Sequence, residues 1–407
     1  MGEGMSKVKL SREVGLVLLL LYGMGNILGA GIYVLIGKVV GISGYFSVIA
    51  FLLASLIAFF TALSYMELAS RYPVSAGEAV YIQEGVGSRN LSIGVGILIA
   101  IAGLVSSATL VHGFVGYFNQ FVQINAELLM TLLIGILVVI SIKGIKASVM
   151  IASLLTVIEV FGLLMIIYYG FDGITNVKIS LTEFIPKFEF SDISVIFLGA
   201  FLAFYAFIGF EDMVNIAEEV KEPSKTYPKA IILALAISTL LYILVLLVSF
   251  DTLSIEELKN SDAPFADIYK KLTDKDPVLI SIIGMFAVIN GALIQIIMAS
   301  RIVYGMAVKG WLPFYFSDVS PRTKTPIKST LFVGLITVTF ALLFDLVSLA
   351  SLSSMLILIV FTLVNVSLIR IKASKPQPQG VIQIPLWIPW SGVLCNILLV
   401  LMSLLAI

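Results

Sequence analysis

The chain has one cysteine, Cys395, and one histidine, His112, in 407 residues. It can therefore form no internal disulfide framework, and no Cys/His zinc cluster can be assembled from this chain alone. The sequence also offers no Ser/His/Asp, Cys/His or metal-ligand arrangement, so it reads as a non-enzyme without a cofactor. Charge is scarce: only 12% of residues are charged, and 25 basic residues balance 25 acidic ones. No long-range field points to nucleic acid or to an acidic partner. His112 lies between Val111 and Gly113 in an apolar stretch, where a lone histidine acts as a proton relay or, more commonly, as a packing or interfacial residue. The polar, basic segment from Met1 to Arg12 is followed by an apolar run without a small-residue cleavage site, so no removable signal peptide is read there.

What the chain has in abundance is apolar surface: 59% of its residues are hydrophobic. That composition is solvated by lipid rather than water. Apolar runs of roughly 20 residues, the length that crosses a hydrocarbon core, recur near 14–36, 43–68, 91–118, 127–142, 147–169, 193–217, 229–250, 278–308, 329–344, 347–369 and 384–406. Lipid cannot satisfy bare amides, so each run must be helical. The expected fold is an all-α membrane bundle of about 11 spans in one domain, 1–407. Most lysines and arginines fall in the N-terminal segment and near 70–90, 143–146, 218–229, 301–328 and 370–375. By the positive-inside rule these lie in the cytoplasm, with the N-terminus. Only short polar segments remain, chiefly 170–192 and 251–277 outside, so the membrane domain must carry the function.

Two spans carry signs of interruption. The first, "GLVLLLLYGMGNILGAGIYVLIG", bunches Gly23, Gly25, Gly29 and Gly31 at its middle. Such a run unwinds easily, since glycine costs about 1 kcal/mol of helix propensity; Gly25 and Gly29 equally form a GxxxG packing spacing. The sixth places Gly209 mid-span, with Glu211 and Asp212 directly after it, which suits a break opening into a hydrated cavity. Spans one and six each open a five-helix half, about 14–170 and 193–370, with an extra helix near 384–406. Interruptions at equivalent places in two halves point to an inverted-repeat transporter with a midplane site. Amide groups after Gly29, Ala30 and Gly31 would suit a carboxylate. Free carbonyls around Tyr205, Ala206 and Ile208 would accept from an ammonium group. Together these describe a site for an α-amino acid.

Four segments in order resemble the amino acid/polyamine/organocation (APC) superfamily over almost the whole chain. They are "GMGNILGAGIY" at 23–33, "MELASRYPVSAGEAVYIQEGVG" at 66–87, "FYAFIGFED" with "AEEVKEPSKTYPKAI" at 217–231, and "ASRIVYGMAVKGWLP" at 299–313. The resemblance implies a LeuT-type five-plus-five inverted repeat with helices one and six discontinuous. It assigns Ile27, Ala30 and Gly31 to the substrate carboxylate, Tyr205, Ala206 and Ile208 to the amine, and Tyr205 to an aromatic gate. The family commonly has twelve spans; the missing one lies outside the repeat.

Glu159 lies deep in the fifth span among Val157, Ile158, Val160 and Phe161. An ionised carboxylate there costs at least about 3 kcal/mol, so it must be protonated, paired or wetted by a cavity. Its position is similar to one where some proton-coupled members carry a lysine in place of sodium. A proton is the favoured coupling ion, and sodium held with Ser300 or span-one carbonyls is the alternative. Glu211 is the second coupling candidate, matching a sensing glutamate of some exchangers, or else a partner of Arg301. Spans three, eight and ten offer Ser106, Ser107, Asn290, Gln295, Ser351 and Ser354 but no mid-span acid, which favours neutral amino acids. The expected activity is amino acid symport by alternating access across the cell membrane. A polyamine or organic-cation carrier is the rival, as are sodium-coupled and exchange transport; a nutrient receptor lacks a signalling segment, and a channel would show a pore motif.

Overall fold

The computed structural model describes residues 14–73, 77–143, 148–175, 181–187, 189–214, 220–323, 325–376, 378 and 380–405. Of the basic positions used above for orientation, those at 7, 9, 12, 146 and 324 lie outside this set. The described chain is helical: α1 Leu16–Ser43, α2 Ser47–Arg71, α3 Gly77–Val86, α4 Arg89–Phe118, α5 Ala126–Lys143, α6 Ser148–Tyr169, α7 Phe171–Thr175, α8 Phe190–Phe204 and α9 Pro223–Thr252. There follow α10 Ile255–Asn260, α11 Pro264–Thr273, α12 Val278–Val308, α13 Ile327–Leu343, α14 Leu346–Ser374 and α15 Trp387–Leu405. Eight segments among the described residues are long and apolar enough to cross a membrane; one of them, Leu16–Arg71, holds both α1 and α2, and α5 and α13 are shorter apolar helices. Each of the eleven expected runs is thus met by a helix. The large apolar side chains left exposed form stripes at helical spacing, such as Leu128, Leu132, Ile136 and Val139 on α5 or Leu394, Leu398, Leu401 and Leu405 on α15. On a water-facing surface such stripes would drive aggregation; against lipid tails they are the solvated face.

Local signals fix the helix ends. Ser88 caps α4 by accepting from Leu91 N–H at 3.3 Å. Asp345 caps α14, accepting from Val347 and Ser348 N–H at 3.0 Å each. α10 opens with a reciprocal capping box between Ser254 and Glu257, and Pro264 starts α11. These two short helices lay Phe265 edge-on against Tyr33 of α1, with ring centroids 5.1 Å apart.

α1 packs against α6, α8, α9 and α12, and α4 lies against α12 and α14. Fully buried aromatics fill the space between, among them Tyr33, Tyr65, Tyr205, Tyr242, Phe204, Phe207 and Phe210. At one end of the bundle the buried Glu67 carboxylate of α2 accepts from Arg71 Nε at 2.9 Å, Lys372 Nζ of α14 at 2.8 Å and Ile384 N–H at 2.8 Å. One carboxylate therefore ties together α2, α14 and the segment entering α15. A turn further in, Asn365 donates to Thr61 at 2.9 Å, Ser64 to Asn365 at 2.6 Å and Asn396 to Thr61 at 3.3 Å. Such interhelical bonds matter in lipid, where burial of apolar surface supplies little drive between helices.

One expectation is corrected. The first span is not interrupted: α1 runs unbroken from Leu16 to Ser43, through all four of its central glycines. Those glycines serve close approach instead. A methyl on Gly29 would lie 2.9 Å from the Ala287 carbonyl, and on Gly31 2.9 Å from Ala206 N. Methyls on Gly23 and Gly25 would collide with Met213 and Thr156.

Candidate functional site

The sixth span does break. α8 stops at Phe204, Tyr205–Phe207 form a single 3-10 turn, Ile208 is extended at φ −65°, ψ 134°, and residues 211–214 make a second turn. Gly209 is the pivot. Its φ of +132° is a conformation L side chains rarely adopt, and a Cβ there would meet Asn26 Cβ of α1 at 2.7 Å. The Gly209 N–H, freed from any helix, donates to Glu211 Oε2 at 2.8 Å. Asp212 Oδ2 accepts from Gln295 Nε2 of α12 at 3.1 Å. The acidic pair after the glycine thus supplies acceptors that a broken helix needs inside a membrane.

Five of the expected substrate residues, Ile27, Gly31, Tyr205, Ala206 and Ile208, lie at or beside this break. Gly31 of α1 abuts Ala206 of the broken segment, backbone against backbone. Ile27 is fully buried, and its carbonyl accepts from the Tyr242 hydroxyl of α9 at 2.7 Å. The same hydroxyl lies 2.8 Å from the Ala206 carbonyl. Tyr205 is buried, with its hydroxyl 2.9 Å from Ser106 Oγ and 3.1 Å from the Ser106 carbonyl of α4. Ile208 lines a cleft described below. Gly29 faces α12 and Glu159 rather than the break, and the side chain of Ala30 lies outside the described residues. In this conformation α1 remains helical from 27 to 31, so its amides are engaged along the helix and not presented to a ligand.

Glu159 sits on the other side of α1. It is fully buried on α6; Oε1 accepts from Asn290 Nδ2 of α12 at 3.1 Å, and Oε2 has no hydrogen-bond partner among the described residues. A Cβ on Gly29 would lie 3.4 Å from that free oxygen. Tyr33 of α1 donates to the Glu159 main-chain carbonyl at 2.6 Å, and Tyr117 of α4 donates to the Tyr33 carbonyl at 2.7 Å. A chain of contacts therefore connects α6, α1 and α4 through the main-chain carbonyls of Glu159 and Tyr33. Ser300 does not join it, because its hydroxyl donates to the Ile297 carbonyl at 2.8 Å. His112 bonds the Ala341 carbonyl through Nε2 at 2.9 Å, the packing role.

Glu211 is separate from Glu159. It lines a narrow cleft, with room on the scale of one water molecule, together with Glu78, Asp212, Tyr65, Gln295 and Ser353; Ser106 and Ile208 also border it. Among the described residues, no lysine, arginine or histidine lines the cleft. Arg301 is exposed and is not paired with Glu211 among the described residues, so the expected partnership is corrected. Burial pushes the Glu78 carboxyl, on the short α3 outside the spans, up to about 7. Sequence reading missed Glu78 because α3 looks like an ordinary polar loop. It missed Tyr242 because nothing local distinguishes one tyrosine in an aliphatic span, although a buried phenol needs an acceptor.

A model of the amino acid permease family, described as "Amino acid permease", matches residues 15–407, nearly the whole chain. The chain belongs to this family. A vacuolar cationic amino acid transporter of Arabidopsis thaliana is 29% identical over 394 residues, covering 91% of this chain and 64% of the relative. The branched-chain amino acid permease of Bacillus subtilis is 28% identical over 392 residues, covering 90% of this chain and 82% of its own. A methylthioribose transporter of the same bacterium is 27% identical over 398 residues, covering 92% and 84%. The chain thus spans less than two thirds of the plant relative's length. As a family member with many apolar helices, this permease is a multi-pass membrane protein.

Proposed function

We propose that this permease carries α-amino acids across the cell membrane by alternating access, with its N-terminus in the cytoplasm and a proton as the coupling ion. The observation that carries the reading is the meeting of the glycine face of α1 with the broken span at Tyr205–Gly209, where backbone carbonyls of both segments converge. Carbonyls suit an ammonium group, and the amides of α1, once it unwinds at Gly29–Gly31, suit a carboxylate. The five-plus-five inverted repeat and a rocking of one part of the bundle against the other complete the cycle. Glu159 is the proposed proton carrier. A buried carboxyl with one oxygen unpartnered, beside the helix that must open, changes its hydration when that helix moves.

Two of the relatives are named for cationic and for branched-chain amino acids. The apolar lining contributed by Ile99, Ala102, Gly103 and Ile357 supports a neutral side chain. A second reading, a cationic side chain, is favoured by the three carboxylates of Glu78, Glu211 and Asp212 in one cleft below Ile208. Uptake of a labelled panel into proteoliposomes decides. The panel should contain leucine, alanine, lysine, arginine and a polyamine, each tested with an inward proton gradient, an inward sodium gradient or neither. Accumulation of an amino acid under the proton gradient alone supports the reading. Uptake of the polyamine, which has no carboxylate, or of nothing at all overturns it.

A further inference from the structure

The Tyr242 hydroxyl has one hydrogen and two carbonyls within reach, Ile27 at 2.7 Å and Ala206 at 2.8 Å. These carbonyls belong to the two segments between which an α-amino acid would be held, α1 and the break in the sixth span. The phenol is fixed there. Tyr242 is fully buried, its ring edge-on to Phe207 at 5.2 Å and to Phe51 at 5.8 Å. Both carbonyls lie around a single phenol hydrogen, which bonds only one of them at a time. An ammonium group has three donors and a full charge, so it bonds both more strongly than a neutral phenol.

Gly31 meanwhile packs directly on Ala206, leaving no gap where a substrate carboxylate would enter. The site is closed by its own walls, and Tyr242 bridges the seam between them. We propose that Tyr242 is a positioning residue that latches α1 to the broken span in the empty carrier, its hydroxyl occupying the place of the substrate's α-ammonium. Substrate entry and latch release are then one exchange: the ammonium takes the Ile27 and Ala206 carbonyls, and the phenol gives them up. This rests on the amino acid reading of the site.

The test is equilibrium binding of a transported amino acid, and of the matching 2-hydroxy acid, to purified wild type and Tyr242→Phe. Phenylalanine keeps the ring packing against Phe51 and Phe207. Removing a competing hydrogen bond from the empty state should tighten amino acid binding about three- to tenfold, and hydroxy acid binding in the same direction, because either carboxylate must part the latched seam. A second variant that keeps the fold, 3-fluorotyrosine at position 242, is a stronger donor and should shift amino acid affinity the opposite way. A purely structural tyrosine would give unchanged or weaker binding in Tyr242→Phe, for both ligands alike, and that result overturns the latch. Wild-type protein that binds no amino acid overturns the transport reading and the latch with it, so the two failures are distinguishable.

Discussion

Replacing Gly31 by alanine tests whether α1 is packed, rather than unwound, against the broken span. An added methyl would lie 2.9 Å from Ala206 N and closer still to Ala206 Cα, whereas carbon makes its best contacts at about 3.5–4.0 Å. The two segments would have to separate by at least roughly 0.6 Å against this backbone, which has no rotamer to change. Overpacking of this kind costs about 1–3 kcal/mol, and backbone against backbone belongs at the upper end. Alanine also returns about 1 kcal/mol of helix propensity, leaving a net loss of about 2 kcal/mol. The control is Gly135→Ala on α5, where nothing lies within 4 Å of the new methyl, so the change should be neutral or stabilising by up to about 1 kcal/mol. Thermal unfolding in detergent should therefore move the two variants apart, Gly31→Ala down and Gly135→Ala level or up. Transport by Gly31→Ala should fall as well, because closure of α1 on Ala206 is blocked. If Gly31→Ala melts at or above wild type, the close-packed account of α1 is wrong.

Two further outcomes follow from buried carboxyls. Burial holds the Glu78 carboxyl near 7 against an ordinary value of 4.5, so the folded state binds its proton more tightly than the unfolded chain does. This contribution to stability is complete below pH 4.5 and is lost as pH rises to about 7, a difference of ~3 kcal/mol. Melting temperatures of wild type and Glu78→Gln should diverge across that window, the wild type falling relative to the variant as pH rises; parallel curves would refute the assignment. Lys372→Met removes one of the donors on the buried Glu67 carboxylate while Arg71 keeps its own. The expected loss is about 1.5–3 kcal/mol, read as a lower melting temperature, and limited proteolysis should show earlier cleavage in the segment before α15, because Ile384 N–H shares the same carboxylate.

Much of the architecture is legible in the sequence alone. Apolar run length located the long apolar helices among the described residues, because lipid leaves the backbone few alternatives, and Gly209 followed by Glu211 and Asp212 correctly marked a break. The same logic failed at Gly23–Gly31. A glycine cluster reads identically whether it unwinds or lets another backbone approach, and the deciding partners, Ala206 and Ala287, are far away in the chain. Distance in sequence also hid the bond from Tyr242 to Ile27 and the gathering of Glu78 with the acidic pair of the sixth span. Glu159 stood out because a carboxyl amid Val157, Ile158, Val160 and Phe161 has no bland use. Its partner Asn290 was visible as a mid-span polar residue but not as its donor.

The most direct measurement of the central claim compares wild type with Glu159→Gln in proteoliposomes, following the transported amino acid in two modes. One is accumulation driven by an inward proton gradient; the other is exchange against preloaded substrate without a gradient. Glutamine keeps the shape of the side chain and a hydrogen bond to Asn290 but cannot carry a proton. The variant should retain exchange and lose gradient-driven accumulation. Accumulation at the wild-type level in Glu159→Gln, or wild-type uptake that follows sodium instead, would contradict it.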